Sequence, residues 1–468
     1  MNDERMFKGL WFLPNDIENK ISGILIYNPH DDYSELELFG NLSNYEDGKV
    51  IEIVLGTTLD GEDITLCNCR IVSSRSTMTP SSKKIYLSKL KSEFILCGAH
   101  ITKAEDLVFQ KISTEIYNFE NWVGIHGFSD DTEDPNNEIN FNYQRPKPIE
   151  FEINDKTKGE IKFFISTKEP VLNTEFNFKQ STRLSFNSSE FVSFHTLLNH
   201  VYNFQDFLVL SLFTHTVPYN IVLISDRIFT THHRGELKIS KEIKLLTRQV
   251  KKISRAQPKH TFQMLFTYKD IQKEFPVIIR KWYEKYEILK DSFGLFFYQF
   301  YVNDKYLNVL FLNLAQATES FHYHLNPNQK LLETKEFRDR RDRIESKLSE
   351  DIDLFLWIKP YIKNDLYLDI RLSEIIEKYC NDILLSYIGD IESFKRDIKN
   401  SRNYYTHFNP TLKNKALKGY ELLDLYTKLR MLLISAFLIE AGFEKDTLTK
   451  FFKKNGSQVF SVNLNKGS

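Results

Sequence analysis

Cysteine is scarce, four in 468 residues, which excludes a disulfide-stapled extracellular scaffold and fits a reducing compartment. No apolar run is long enough to cross a bilayer, since the longest, over 207–224, is interrupted by His215, Pro218 and Asn220. The opening MNDERMF carries acids rather than the apolar core of a secretory signal. A cytoplasmic protein with no membrane partner is expected. Net charge is lacking too: 62 Lys and Arg against 63 Asp and Glu leave a formal −1. A protein that coats nucleic acid through its overall charge is excluded, so any RNA contact must come from local patches. A phosphate-binding glycine loop, a nucleotide-hydrolase signature and an internal repeat are all missing, and no cofactor is expected.

What is present is an ordinary globular composition, 41% hydrophobic and 27% charged. The 38 Phe and 23 Tyr could stack unpaired bases, but their even spread reads mostly as core. Up to about residue 231 the chain shows short period-two runs such as GILIYNP, SELELFG, KVIEIVLG and PIEFEIND, broken by Gly, Asn, Asp and Pro. That predicts a β-sandwich or a pair of β-subdomains, over 1–130 and 131–240. The acidic stretch 128–138 is the internal boundary or loop, and one helix falls at 189–202. From about residue 268 the pattern turns helical, with helices at 271–290, 305–324, 334–347, 373–387, 390–406 and 420–441. Gly389 separates two of them, and Gly442 caps the last long one. The fold class is therefore α+β and multidomain: a basic linker at 241–267, a helical bundle at 268–455 and a tail at 456–468.

The segment SRNYYTHFNP, 401–410, concentrates chemistry. Ile391, Phe394 and Ile398 recur at helical spacing, Tyr405 continues the stripe, and Arg402 falls on it. An inward arginine needs an anion or a hydrogen-bonding partner, so Arg402 is either a structural ion-pair member or a site residue. Five residues of ideal helix turn through about 140°, which would point His407 away from Arg402. Pro410 disfavours helix at Asn409, so the helix is expected to fray or end near 406–408 and let His407 swing back. A histidine that moves a proton and a guanidinium that stabilises a phosphorane are the two groups RNA cleavage needs without a metal. Asn403 can orient a phosphate oxygen through its amide. Tyr404 is a candidate base-stacking or phosphate contact. Two other pairs share the spacing, Arg227 to His232 and Arg255 to His260, but the first sits in a strand-like run and the second in a Pro258-containing linker.

Other clusters have blander readings. Lys251, Lys252 and Arg255 belong to a basic run, 241–259, that could track a phosphate backbone, although a solvated face is favoured. The RDRRDR run at 338–343 carries its own acids and reads as a self-paired helix surface. Cys67, Cys69, Cys97 and His100 have the donor types of a structural zinc site, but the C-x-C spacing is tight and buried packing on a strand is favoured. His232 and His233 lack the acidic ligands a metal hydrolase would need.

SRNYYTH resembles the signature of the HEPN superfamily, in which an Arg, a polar residue and a later His sit on a helical bundle. Over nearly its whole length the chain is similar to ApeA-like abortive-infection proteins of bacteria. The further matches are FKGLWFLP and ISGILIY near the start, ILCGAHI around Gly98, and FLNLAQATESFHYHL at 311–325. The resemblance implies a metal-independent ribonuclease that leaves a cyclic phosphate and acts as a toxic effector in phage infection. It implies that Arg402 stabilises the phosphate, Asn403 orients it, and His407 is the acid or base. It implies an RNA substrate, for example tRNA or another structured RNA with a single-stranded loop, a homodimer through the HEPN domains, and a β-rich region that restrains them until a phage-derived trigger arrives. It also makes Glu319 a partner that positions the arginine. The alternative for Glu319 is a solvated charge, because the stripe Leu307, Leu310, Leu314, Phe321 lies well round the helix from it. His322 and His324 read as packing or surface residues. The competing function is a noncatalytic HEPN binding or scaffold module.

Overall fold

The computed structural model describes residues 4–42, 48, 50–78, 84–131, 140–168, 177–232, 237–249, 258–302 and 306–459. Lys251, Lys252, Arg255 and His233, with most of the 128–138 stretch and the last nine residues, lie outside them. The chain divides into two compact units, Met1–Arg280 and Lys281–Ser468.

The first unit opens with six strands whose alternation of buried and exposed residues follows the period-two pattern: β1 (Arg5–Leu13), β2 (Asp16–Tyr27), β3 (Ser34–Leu38), β4 (Val50–Thr58), β5 (Asp63–Met78) and β6 (Lys84–Ser92). They pair antiparallel in the order β5, β4, β1, β2, β3, β6, and β6 closes back onto β5. The expected sandwich is therefore a closed six-stranded barrel, which leaves no edge along that ring. Trp11, Leu25, Leu36, Leu38, Val54 and Leu66 are wholly buried in its core. Gly56 lies directly against the Trp11 ring, and a Cβ there would overlap it.

Strand β7 (Phe94–Cys97) pairs with β5 and carries the hydrogen bonding out of the barrel. Beyond it come β8 (Val108–Ile116), helix α1 (Phe119–Val123), β9 (Phe128–Asp131), β10 (Asn140–Tyr143), β11 (Ile149–Glu152), β12 (Thr157–Lys168), β13 (Asn177–Ser193), helix α2 (Phe194–Leu212), β14 (Pro218–His232) and β15 (Leu237–Leu246). β9 and β10 form a separate hairpin. The rest continue the sheet in the order β11, β12, β13, β8, β14, β15, β7. Three boundaries expected from the sequence shift accordingly. β8 lies before residue 130 yet pairs with β13 and β14, β15 occupies the start of the expected basic linker, and residues 189–193 extend β13 rather than beginning a helix.

Helix α2 is capped by Ser193, whose hydroxyl accepts from the Thr196 N–H. It packs on β8, β13 and β14. The Trp122 indole donates to Ser211 Oγ at 2.6 Å, and that hydroxyl donates in turn to the Phe266 carbonyl. Rings of Phe119, Phe204 and Phe207 surround the indole. α3 (Tyr268–Ile271) follows.

The helical unit draws on α4 (Phe275–Tyr301) from residue 281 on, then α5 (Leu307–Leu325), α6 (Thr334–Lys347), α7 (Ile352–Ile358), α8 (Leu368–Tyr379), α9 (Asp382–Ile388), α10 (Ile391–His407), α11 (Gly419–Glu440) and α12 (Lys445–Val459). The helix expected at 373–387 is two, broken at Cys380 and Asn381, where the Asn381 side chain caps α9 by accepting from Leu384 N–H at 2.9 Å. α11 is buried over most of its circumference, as an all-round apolar helix must be. Phe437 on it meets Phe293 and Phe296 of α4 and Phe321 of α5. At its end Glu440 is held by Lys285 at 2.5 Å, Tyr379 Oη at 2.6 Å and Lys378 at 3.0 Å. Burial pushes the Glu440 carboxyl up, but hydrogen bonds from Lys285, Tyr379 and Lys378 outweigh it and hold the group at about 2.

Two stability outcomes follow from this packing. Gly56→Ala is expected to cost about 1–3 kcal/mol through overpacking against Trp11, read as a lower melting midpoint; an unchanged midpoint would contradict the close approach. A carboxyl depressed from 4.5 to about 2 contributes stability above its unfolded value and loses it as pH falls through the folded one. The deficit of Glu440→Gln in urea midpoint is therefore expected to be full at neutral pH and to shrink below about pH 4.5, and a deficit constant with pH would refute this account.

Candidate active site

α10 begins at Asp390, whose side chain accepts from the Glu392 N–H at 3.2 Å. Its buried stripe runs through Phe394, Lys395, Ile398 and Ser401. The stripe seats the helix against α5, α8 and α11. The loop after it is tied back twice. Tyr405 Oη donates to the Leu417 carbonyl at 2.8 Å, and Leu417 N–H donates to Ser401 Oγ at 3.1 Å.

Arg402 emerges at the border of this stripe, with about a third of its side chain exposed. Its Nη2 lies 3.0 Å from Glu319 Oε1 and donates to Oε2 at 3.3 Å, the nearer oxygen being out of line for a hydrogen bond. Nη1 donates to Asn403 Oδ1 at 3.1 Å. Glu319 on α5 thus meets the guanidinium in an ion pair, with 30% of its side chain still exposed. The guanidinium is thus fixed from two sides with its remaining N–H groups available to an anion.

His407 is the last residue of α10 and is exposed. The helix stops where expected, but it does not fray. Phe408 takes a left-handed conformation, φ 48°, and its N–H closes onto the Tyr404 carbonyl. His407 accordingly keeps a helical position, about 140° around the axis from Arg402. Among the described residues it makes no hydrogen bond or ion pair. Tyr404 is flanked by Tyr405, Phe408 and Lys418, the lysine Nζ lying 5.8 Å from its ring.

A polar layer behind the arginine was not read from the sequence. Lys395 is buried and reaches Glu392 at 2.7 Å, Ser373 Oγ at 3.0 Å and Asp369 at 3.7 Å. Its position on the apolar stripe was the available signal. His322, also buried, sits 2.6 Å from Glu374 and 3.4 Å from Arg371, so it packs inside as expected but within a charged pair from α8. His324 lies nearer the surface, 3.3 Å from Asp291.

The family profile for ApeA N-terminal domain 1 matches residues 6–282, and that for the Apea-like HEPN domain matches residues 312–447. The chain belongs to the ApeA family. No curated protein and no solved structure matches it. The site just described lies within the HEPN match, and the ApeA-type HEPN domain marks the chain as a HEPN effector of defence.

The other candidates of this ApeA chain lie on other elements. Arg227 lies in β14, stacked 4.1 Å from the Phe191 ring, and His232 ends the same strand. His260 caps the turn at 261–263 and stacks on Phe262. The three RNA-contact candidates Lys251, Lys252 and Arg255 fall outside the described residues. In the 338–343 run, Arg340 pairs with Glu336 at 2.6 Å and Arg341 with Asp342 at 3.2 Å. Cys67, Cys69 and Cys97 are buried thiols that burial pushes up, Cys69 and Cys97 to about 12. His100 is turned to the Gly56 carbonyl at 2.8 Å and Asp63 at 3.4 Å. Among the described residues no group of three His, Cys, Asp or Glu side chains is placed to hold a metal ion. No helix among the described residues is long and apolar enough to cross a membrane.

The Arg402–Glu319 pair is a third exposed, so its coupling is screened and a double-mutant cycle of Arg402→Ala and Glu319→Ala is expected to give up to about 1 kcal/mol of stability. Zero coupling in urea denaturation would show that the pair adds nothing to stability.

Proposed function

We propose that this ApeA chain is a HEPN endoribonuclease that cleaves RNA by internal transesterification. The observation that carries the reading is a guanidinium held by Glu319 and Asn403 five residues before an exposed imidazole that has no partner among the described residues. In the reaction the ribose 2′-oxygen attacks phosphorus and loses its proton to a base, while the bond to the 5′-oxygen breaks and that oxygen takes a proton. The products are a 2′,3′-cyclic phosphate and a 5′-hydroxyl, with no co-reactant consumed. His407 moves the proton, Arg402 stabilises the charge that builds on the phosphorane, and the Asn403 amide aligns the arginine and a phosphate oxygen.

Because one continuous helix turns His407 away from Arg402, the reading needs a second copy of the chain. Two α10 ends facing each other would present Arg402 of one protomer and the partner's His407 to a common phosphodiester. The β-rich unit acts as the sensor that restrains this assembly until infection, in keeping with an effector of phage defence. A noncatalytic HEPN scaffold is the second reading, and Arg402 bound to Glu319 would serve it equally well as a structural pair.

Arg402→Ala and His407→Ala are each expected to lower cleavage of a single-stranded RNA by about 100-fold or more, with chelator leaving the wild-type rate unchanged. Products should carry cyclic phosphate ends by mass spectrometry. Cleavage that survives both substitutions would reject Arg402 and His407 as its source, and cleavage abolished by chelator would reject the metal-independent route.

A further inference from the structure

The sheet of the first unit has two faces of opposite character. Leu184 and Phe186 of β13, Ile112 of β8 and Leu223 of β14 are buried, and Phe186 meets Phe204 of α2. Alternation therefore turns Arg183, Ser185, Lys111, Ser113, Val222 and Ile224 to the other face. The segment at 145–148, with Pro146 and Pro148, stands beside that face and encloses a cleft of about 420 Å³. A second hollow of about 200 Å³ adjoins it through the shared residues Arg183, Val222 and Glu242.

The charge of this cleft departs from the chain as a whole. Arg5, Lys111, Arg145, Lys162, Arg183 and Lys244 line the two hollows, and Glu242 is the carboxylate among the lining residues. Lys162 and Arg183 are direct cross-strand partners, a placement of like charges that costs stability. Their neutralisation is incomplete. Glu160 holds Lys162 at 2.7 Å, but Glu115 stands 3.4 Å from the Arg183 Nε without hydrogen-bond alignment, leaving that buried N–H unsatisfied. Lys111 makes no ion pair or hydrogen bond among the described residues, and burial followed by the nearby Lys162 holds its ammonium below the usual lysine range despite the opposing charges of Glu160 and Glu242. Beside the cations, Phe164 lies under the Arg183 guanidinium at 4.7 Å. With Pro146, Pro148 and Ile224 it provides an apolar wall.

We propose that this cleft binds a small organic phosphate of mononucleotide size, with the phosphate at Lys111, Lys162 and Arg183 and the ring against Phe164 and the two prolines. An anion there relieves the cross-strand repulsion and completes the hydrogen bonding of Arg183. The volume suits a single nucleotide. The site is independent of the nuclease reading, since it is tested by binding alone.

Isothermal calorimetry on the full-length chain compares adenosine monophosphate, adenosine, inorganic phosphate and an uncleavable 2′-O-methyl oligoribonucleotide. The monophosphate is expected to bind at least about tenfold more tightly than adenosine or inorganic phosphate alone. Lys111→Met and the exposed Arg145→Gln should each weaken it by about tenfold. The melting midpoint of Lys111→Met should hold or rise, because the substitution removes an unpaired, half-buried charge. Absence of monophosphate binding at millimolar concentration, or binding that Arg145→Gln and Lys111→Met leave unchanged, overturns the proposal. Binding of the oligonucleotide alone, weakened by the same variants, overturns it in favour of an RNA surface.

Discussion

A guanidinium cannot rest at the border of a packed helix without a counter-charge, and the candidate active site is organised by that requirement. Glu319 on α5 provides the carboxylate and Asn403 the second acceptor, so Arg402 is oriented by two elements instead of waving from one. The polar layer behind it, Lys395 with Ser373 and His322 with Glu374, is satisfied by the same logic between α5, α8 and α10. An arginine oriented in this way has little reorganisation left to make when an anion arrives.

The helix that carries Arg402 also sets a constraint. Its last turn is intact, closed by Phe408 rather than dissolved by Pro410. A proline three residues on disfavours helix only at the residue before it, here Asn409, which already lies beyond the cap. The regular backbone consequently sets the two positions about 140° apart around the helix. In the proposed reaction, two chains would bring both groups to one phosphate.

Much of this was legible beforehand. α6, α10 and α11 stand within a residue of the positions their apolar spacing indicated, and Arg402 could be placed on the stripe of its helix from Phe394 and Ile398 alone. Glu319 was harder, since periodicity reports which face of α5 is apolar but not which neighbour a half-buried acid meets. The break between α8 and α9 was hidden because Asn381 acts as a cap only through its own hydrogen bond. In the β-rich unit the individual strands were readable, whereas closure of the barrel through β5 and β6, and the pairing of β8 with β13 and β14, are long-range choices that no local pattern encodes.

The ladder between β7 and β15 has a consequence for biosynthesis. Lys244 pairs with Cys97, so a short apolar strand leaving the barrel must wait for a partner roughly 150 residues further along. At ordinary ribosomal speeds that delay lasts about ten to thirty seconds. Throughout it the nascent polypeptide exposes an unmatched row of amides and carbonyls, a sticky margin suited to capture by a holdase or to pairing with a neighbouring polysome product. Yield in the cell should then hinge on translation pace across the interval between those two strands, a kinetic vulnerability that the finished fold conceals.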